Sequence, residues 1–173
     1  RFLLPGLIDS HSHLMTPADA TRALSSGVTT TRVLGDMYLQ ALGTRDLIRE
    51  GHLEGPELIV SGGHVRPVLG TAFMVTFPQF GRFLGARLSG PENVAEIVRT
   101  LLQRGVDVIK VGATERAGLY STDPREPELT REEISAAVGE TEKQGKFVAA
   151  HAHGRGGARA AVEAGVRSIE HGT

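Results

Sequence analysis

Two histidines one residue apart, His11 and His13 in "PGLIDSHSHL", stand at the end of a short apolar run in a chain with only seven histidines. Side chains two apart on an extended backbone leave on the same face, so on a strand this pair converges on one point, and a metal ion is the natural occupant. A lone His-x-His is also a common solvated strand end, so the pair needs company. His64 follows a later apolar run, His151 and His153 end "FVAAHAH", and His171 ends "VRSIEH". Lys110 sits inside the apolar "VDVIKVGA" and admits two readings. As the last residue of a strand it reaches water along its stem. Buried, it becomes a neutral amine that takes up carbon dioxide as a carbamate, an anionic two-oxygen ligand able to bridge two metals. The chain has no cysteine, so any metal here must be held by nitrogen and oxygen.

These side chains occupy one place in the rhythm of the chain. Short β-branched or apolar runs recur at Leu7-Ile8, at Val28 ("VTTTRVL"), Leu58 ("LIV"), Val106 ("VDVIKV"), Phe147 ("FVAAH") and Val166 ("VRSIEH"), and read as strands. Helical patterns lie between them. Thr16 and Pro17 supply an N-cap and a first-turn proline for a helix closed by Gly27, and a second helix runs roughly from Tyr38 to Glu50. Pro91 opens a third, in which Val94, Ile97, Val98, Leu101 and Leu102 keep the 3.6-residue period up to Gly105. Thr130 and Glu133 form a capping box for a fourth ended by Gly145, and a fifth follows "HAHG" and stops at Gly165.

Alternating strands and helices of this kind build parallel sheets from βαβ units. The fold class is α/β, and six strands make three-quarters of a (β/α)8 TIM-type barrel, its strands 1–6, or nearly all of an open doubly wound sheet. In either case His11, His13, His64, His151, His153 and His171 gather at the carboxyl-end rim, where such folds build active sites. His52, beside Gly51 near a helix end, reads as a solvent-facing or capping residue. The segments 62–90 and 112–129 are long and rich in glycine and proline, and read as substrate loops.

Composition excludes several classes. Nineteen basic against twenty acidic residues give a formal charge of -1, which offers no field for nucleic acid or an anionic membrane surface and leaves a small-molecule partner. No apolar run reaches the eighteen or so residues of a membrane span and no cleavable leader is visible, so the chain reads as non-membrane and cytoplasmic. With 173 residues and 40% hydrophobic content, one domain is expected. A start at Arg1 and a stop at Thr173 directly after "EHG" suggest a fragment.

Taken together, "PGLIDSHSHL", "SGGHV", "DVIKVGA", "STDP" with "LTREEI", "VAAHAHG" and "GVRSIEHGT" resemble the amidohydrolase superfamily, and within it the imidazolonepropionase-like and prolidase-like (Xaa-Pro dipeptidase-type) metal-dependent hydrolases. The resemblance spans essentially the whole chain. It implies a barrel with two divalent metal ions at its mouth, commonly zinc. His11 and His13 would bind the more buried ion, Lys110 would be the carboxylated bridge, and His151 and His171 would bind the second ion. His64 and His153 would contact substrate or orient ligands, with an ordinary loop histidine the alternative for each. The resemblance also implies a small β-sandwich and barrel strands 7 and 8 outside residues 1–173, so the chain reads as a partial barrel domain. The family's metal-binding, proton-shuttling Asp on strand 8 has no counterpart here, and the general base is unassigned.

The implied activity is metal-dependent hydrolysis of an amide or C–N bond in a small molecule, such as a dipeptide or a cyclic amide, with a homo-oligomer or a complementing segment as protein partner. Two other classes stay open: an inactive metal-binding fragment or half-barrel awaiting a complementary chain, and a metal-free α/β binding domain whose histidines serve packing and pH response. If His171 points into the pore, strand alternation sends Glu170 away from it as a supporting carboxylate. Asp9 shares the face of His11 and would support the site from deeper in the barrel, while Asp36 is a rim residue or a turn former.

Overall fold

The computed structural model describes residues 2–14, 16–36, 39–67, 89–117, 120 and 122–173. Among them the strands are β1 (Leu7–Ser12), β2 (Val28–Val33), β3 (Glu57–Val60), β4 (His64–Val65), β5 (Ile109–Gly112), β6 (Val148–Ala152) and β7 (Ser168–His171). The helices are α1 (Pro17–Ser25), α2 (Gln40–Arg49), α3 (Pro91–Gln103), α4 (Arg131–Glu142) and α5 (Arg155–Glu163). Both threonines read as caps do that work. Thr16 Oγ1 accepts from Asp19 N while the Asp19 carboxylate accepts from Thr16 N, and Thr130 with Glu133 repeats the exchange. The expected start of the second helix at Tyr38, positions 68–88 of the first long loop, and positions 118, 119 and 121 of the second lie outside the described residues.

All pairings between these strands are parallel, in the orders β1-β2-β3 and β4-β5-β6-β7. The two sets join where Asp107 N and Val108 N donate to Val60 O at 2.8 and 3.3 Å. Neighbours follow chain order with no reversal, which is the arc of a barrel; a doubly wound sheet would reverse at a switch point. The structure adds β4, a two-residue strand in a stretch read as loop. Gly62, at φ 68°, ends β3 and re-aims the chain so that His64 and Val65 lie beside Lys110 and Val111 of β5.

Strand alternation separates two faces. Ile109, Val111, Val148, Ala150, Ala152 and Ile169 pack against the helices, in a core shared with Val94, Val98, Ile134 and Ala161. A smaller core under α2 joins Val33, Leu58, Val60 and Ala41. On the opposite, inner face, Leu34, Val108 and Ala149 form an apolar floor with Ile59 and Phe147 against it.

Candidate functional site

The inner face changes character one strand position above that floor. Lys110 follows Val108, and His151 follows Ala149, at the two-residue spacing that keeps them on the same face. Lys110 is 1% exposed, so the water-reaching alternative is overturned: the strand is flanked on both sides and the stem finds no path out. Its ammonium form is disfavoured by burial and by the charges of Arg32 and Arg66, against some support from Glu170, and the amine is pulled down to about 7. His64, opposite Lys110 in the β4–β5 register, is driven well below its ordinary value by burial, then by Arg66 and Lys110. Burial likewise lowers His151 to about 3 and His171 to about 4, with Lys110 adding to both. These imidazoles are therefore neutral at physiological pH, the form that ligates metals.

The structure gathers His11, His13, His64, Lys110, His151, His153 and His171, the candidates named from the sequence, at one rim. The six rings form an unbroken series of contacts: His13 to His11 at 5.2 Å between centroids, His11 to His171 at 4.9 Å, His171 to His151 at 4.6 Å, His151 to His153 at 4.8 Å and His151 to His64 at 5.8 Å. Lys110 completes the group electrostatically, since its charge depresses His11, His64, His151 and His171. His13 Nδ1 lies 2.8 Å from Gly35 O; a carbonyl only accepts, so Nδ1 carries a proton, and in the neutral tautomer the lone pair is on Nε2. Gly35 (φ 109°) sits between the His13 and His64 rings. His52 is solvent-facing, with Glu50 Oε2 3.7 Å from its Nε2.

Three expectations need correcting or refining. Glu170 does not point away from the pore. It is 6% exposed on the inner face, where Oε2 meets His11 Nδ1 at 2.7 Å and Oε1 accepts from Arg32 Nη2 at 2.8 Å and Ser168 Oγ at 2.7 Å. Burial pushes its carboxyl up, but these partners and Lys110 outweigh it and hold the group below its ordinary value. Alternation failed because His171 has a left-handed backbone, φ 74°, which lets two consecutive residues reach the same side. Asp9 does not act deeper in the barrel: it is exposed, and its Oδ1 accepts from His11 N at 3.0 Å. Asp36 serves the start of α2, its Oδ2 accepting from Ala41 N at 2.6 Å.

Reasoning from sequence missed the arginines. Arg66, two residues beyond His64 and 3% exposed, donates from Nε to Glu128 Oε2 at 2.9 Å. Gly112 leaves room for that carboxylate, which a Cβ at 112 would strike. Arg32 lies within the β2 run, and a charge amid β-branched residues was the available signal for an inner-face role.

Buried polar atoms normally find partners. Among the described residues, Lys110 Nζ, His64 Nε2 and His151 Nε2 are buried without a hydrogen-bond partner, as is Asp36 Oδ1. Leaving such an atom unpaired costs about 1–3 kcal/mol, so three nitrogens clustered at one rim are unfavourable for the protein alone and suited to a ligand that takes lone pairs. The donor set, neutral imidazoles and an amine, fits a borderline divalent ion. Among the described residues, no group of three or more His, Asp or Glu side chains is already set to hold a metal ion. The nitrogens are gathered, but their lone pairs do not yet share a point.

A family model described as "Amidohydrolase family" matches residues 2–173. The curated ochratoxinase of Aspergillus niger is 30% identical over 208 residues, covering 98% of this chain and 43% of that protein. Among solved structures, a Xaa-Pro dipeptidase with methionine bound in its active site is 31% identical with a TM-score of 0.78, matching 97% of this chain and 48% of that one. The Aspergillus niger ochratoxinase structure is 26% identical with a TM-score of 0.81, over 95% and 47% respectively. The chain thus spans under half the length of each of these relatives. No helix among the described residues is long and apolar enough to cross a membrane.

Proposed function

The chain belongs to the amidohydrolase family, and from that premise we propose that it forms the metal-binding part of a hydrolase for amide or C–N bonds in small molecules. The observation that carries the reading is the cluster of partnerless buried nitrogens, Lys110 Nζ, His64 Nε2 and His151 Nε2, at the rim of a parallel barrel arc. His11, His13, Lys110, His151 and His171 would hold two divalent ions, zinc being the natural choice for imidazole donors, with Lys110 carboxylated. When bound, such ions supply Lewis acidity, polarising a substrate carbonyl and acidifying water.

The protein's own residues do the rest. Lys110, half neutral near pH 7, is able to take up carbon dioxide. The apolar floor of Val108, Ala149 and Leu34 excludes water from below. His64 and His153, each in ring contact with His151, would contact substrate or orient a ligand. The names of the relatives support a dipeptide or another compound whose scissile bond joins an acyl group to an amine. The exposed apolar flank of β1, Leu7 at 61% and Ile8 at 75%, favours a barrel closed by further polypeptide, in the same chain or from a complementing one.

Elemental analysis of protein purified in metal-free buffers and reloaded with zinc tests the reading. About two equivalents, reduced in Lys110→Ala, are expected from a two-metal site, together with amine release from a panel of dipeptides and N-acyl amino acids once the barrel is closed. Full metal stoichiometry in His11→Ala would refute the ligand assignment, and no bound metal in the closed barrel would refute the function.

A further inference from the structure

The ion pair between Arg32 and Glu170 crosses the arc from β2 to β7 and reaches a histidine ring. Both Glu170 oxygens are committed: Oε1 to Arg32 Nη2 and Ser168 Oγ, Oε2 to His11 Nδ1. Arg32 is itself fixed, since its Nε donates to Ser10 O at 2.7 Å, the carbonyl just before His11 on β1. The guanidinium stays charged throughout the working pH range, so the carboxylate facing it stays an ionised acceptor. An ionised carboxylate at 2.7 Å can only accept, and the proton of a neutral His11 must then sit on Nδ1.

We propose that Glu170, held by Arg32, is a positioning residue that fixes His11 as its Nδ1–H tautomer and leaves Nε2 as its ligating nitrogen. The second half of that statement rests on the metal reading above; the first does not. The device parallels His13, whose Nδ1 is fixed by Gly35 O, so both histidines of the pair present the same nitrogen from different anchors. It also gives His171 a reason for its left-handed backbone, because a regular strand could not send Glu170 to His11 while His171 joins the ring cluster. An orienting hydrogen bond on the far ring nitrogen is the usual companion of a metal-bound histidine, and losing it weakens metal binding about 10–100-fold.

The test is long-range proton–nitrogen NMR on metal-free protein labelled with 15N histidine, with His11 assigned by its loss in His11→Ala. Wild type is expected to show His11 protonated at Nδ1. Glu170→Ala is expected to move His11 toward the Nε2–H form that an untethered imidazole favours, with His13 unchanged, and to weaken zinc binding by the factor above. A merely structural ion pair would not move one ring's tautomer while sparing the other. A wild-type His11 protonated at Nε2, or an Nδ1–H signature that persists in Glu170→Ala, would overturn the proposal. The wild-type spectrum needs only the His11→Ala assignment, so it decides even if Glu170→Ala fails to fold. Wild type that binds no zinc but shows the expected tautomers would defeat the metal reading and uphold the tautomer assignment.

Discussion

His11 with His13 at the end of β1 and His151 with His153 at the end of β6 are the same two-residue motif in opposite surroundings. β6 lies between β5 and β7, and all five of its residues are buried. β1 pairs only with β2 among the described residues, and its first four residues are exposed. His151 is aimed by packing, with Nε2 left without a partner, whereas His11 and His13 are aimed by hydrogen bonds to Glu170 and Gly35 O. A ring can thus be oriented by a close-packed wall, as His151 is, or by a directed polar contact, as His11 and His13 are; His153, beyond the end of β6, has its Nδ1 3.1 Å from Thr173 Oγ1 and belongs with the second kind.

The sharpest way to break the comparison is to remove equal volume from each side. Ile109→Ala on β5, fully buried in the main core, should cost about 2–5 kcal/mol. Ile8→Ala on the β1 flank, 75% exposed, should stay within about 0.5 kcal/mol. Urea unfolding of the two variants checks this, and equal losses would mean that β1 is covered in solution. Gly157→Ala should come next, at about 1–3 kcal/mol, because the added methyl would collide with Ala113 O and Thr114 Cγ2 where α5 closes over the end of β5.

Lys110 sharpens the comparison from the electrostatic side. Its amine is at about 7 in the folded chain against an ordinary 10.5. Between those values the unfolded chain binds a proton that the folded one does not, so this group makes metal-free protein more stable as pH rises from about 7 to about 10.5, and adds no slope below about 7. Lys110→Met keeps most of the stem and removes the charge. It should flatten that slope and raise the urea midpoint at pH 7, while abolishing the second metal equivalent. A slope unchanged in Lys110→Met would show that the amine titrates normally.

How much of this was written in the sequence depends on how local each feature is. The strands and helices were legible because apolar periodicity, capping boxes and the glycines after helices act over a few residues; Thr16, Thr130 and Gly105 each mark a boundary near where it occurs. The candidate ligands were legible because a histidine at the end of an apolar run is unusual and the βα rhythm sends each one to the same rim. Glu170 was misread because alternation presumes extended backbone, and nothing around His171 announces a left-handed residue ahead of Gly172. Arg66 with Glu128 and Arg32 with Glu170 are pairs 62 and 138 residues apart, made only when the arc forms, and no local pattern encodes them.

The smallest expected effect separates the two sides again, through their helices. α1 after β1 and α4 before β6 begin with the same Thr-based capping box, so Thr16→Ala and Thr130→Ala remove the same bonds, worth about 1 kcal/mol each in helix stability. What differs is how far the loss spreads. α4 buries Ile134, Ala137, Val138 and Thr141, and its Glu133 also accepts from Gly90 N at 2.7 Å, so its first turn cannot fray without disturbing the core and the start of α3. Thr130→Ala should therefore lower global stability by the full amount. α1 buries only Ala20 and can open by itself. Thr16→Ala should speed amide exchange within residues 17–25 while leaving the urea midpoint nearly unchanged. If both variants shifted the midpoint equally, β1 and its helix would belong to the same cooperative unit as β6, and the division between a packed side and a hydrogen-bonded side would have to be confined to the histidine rings.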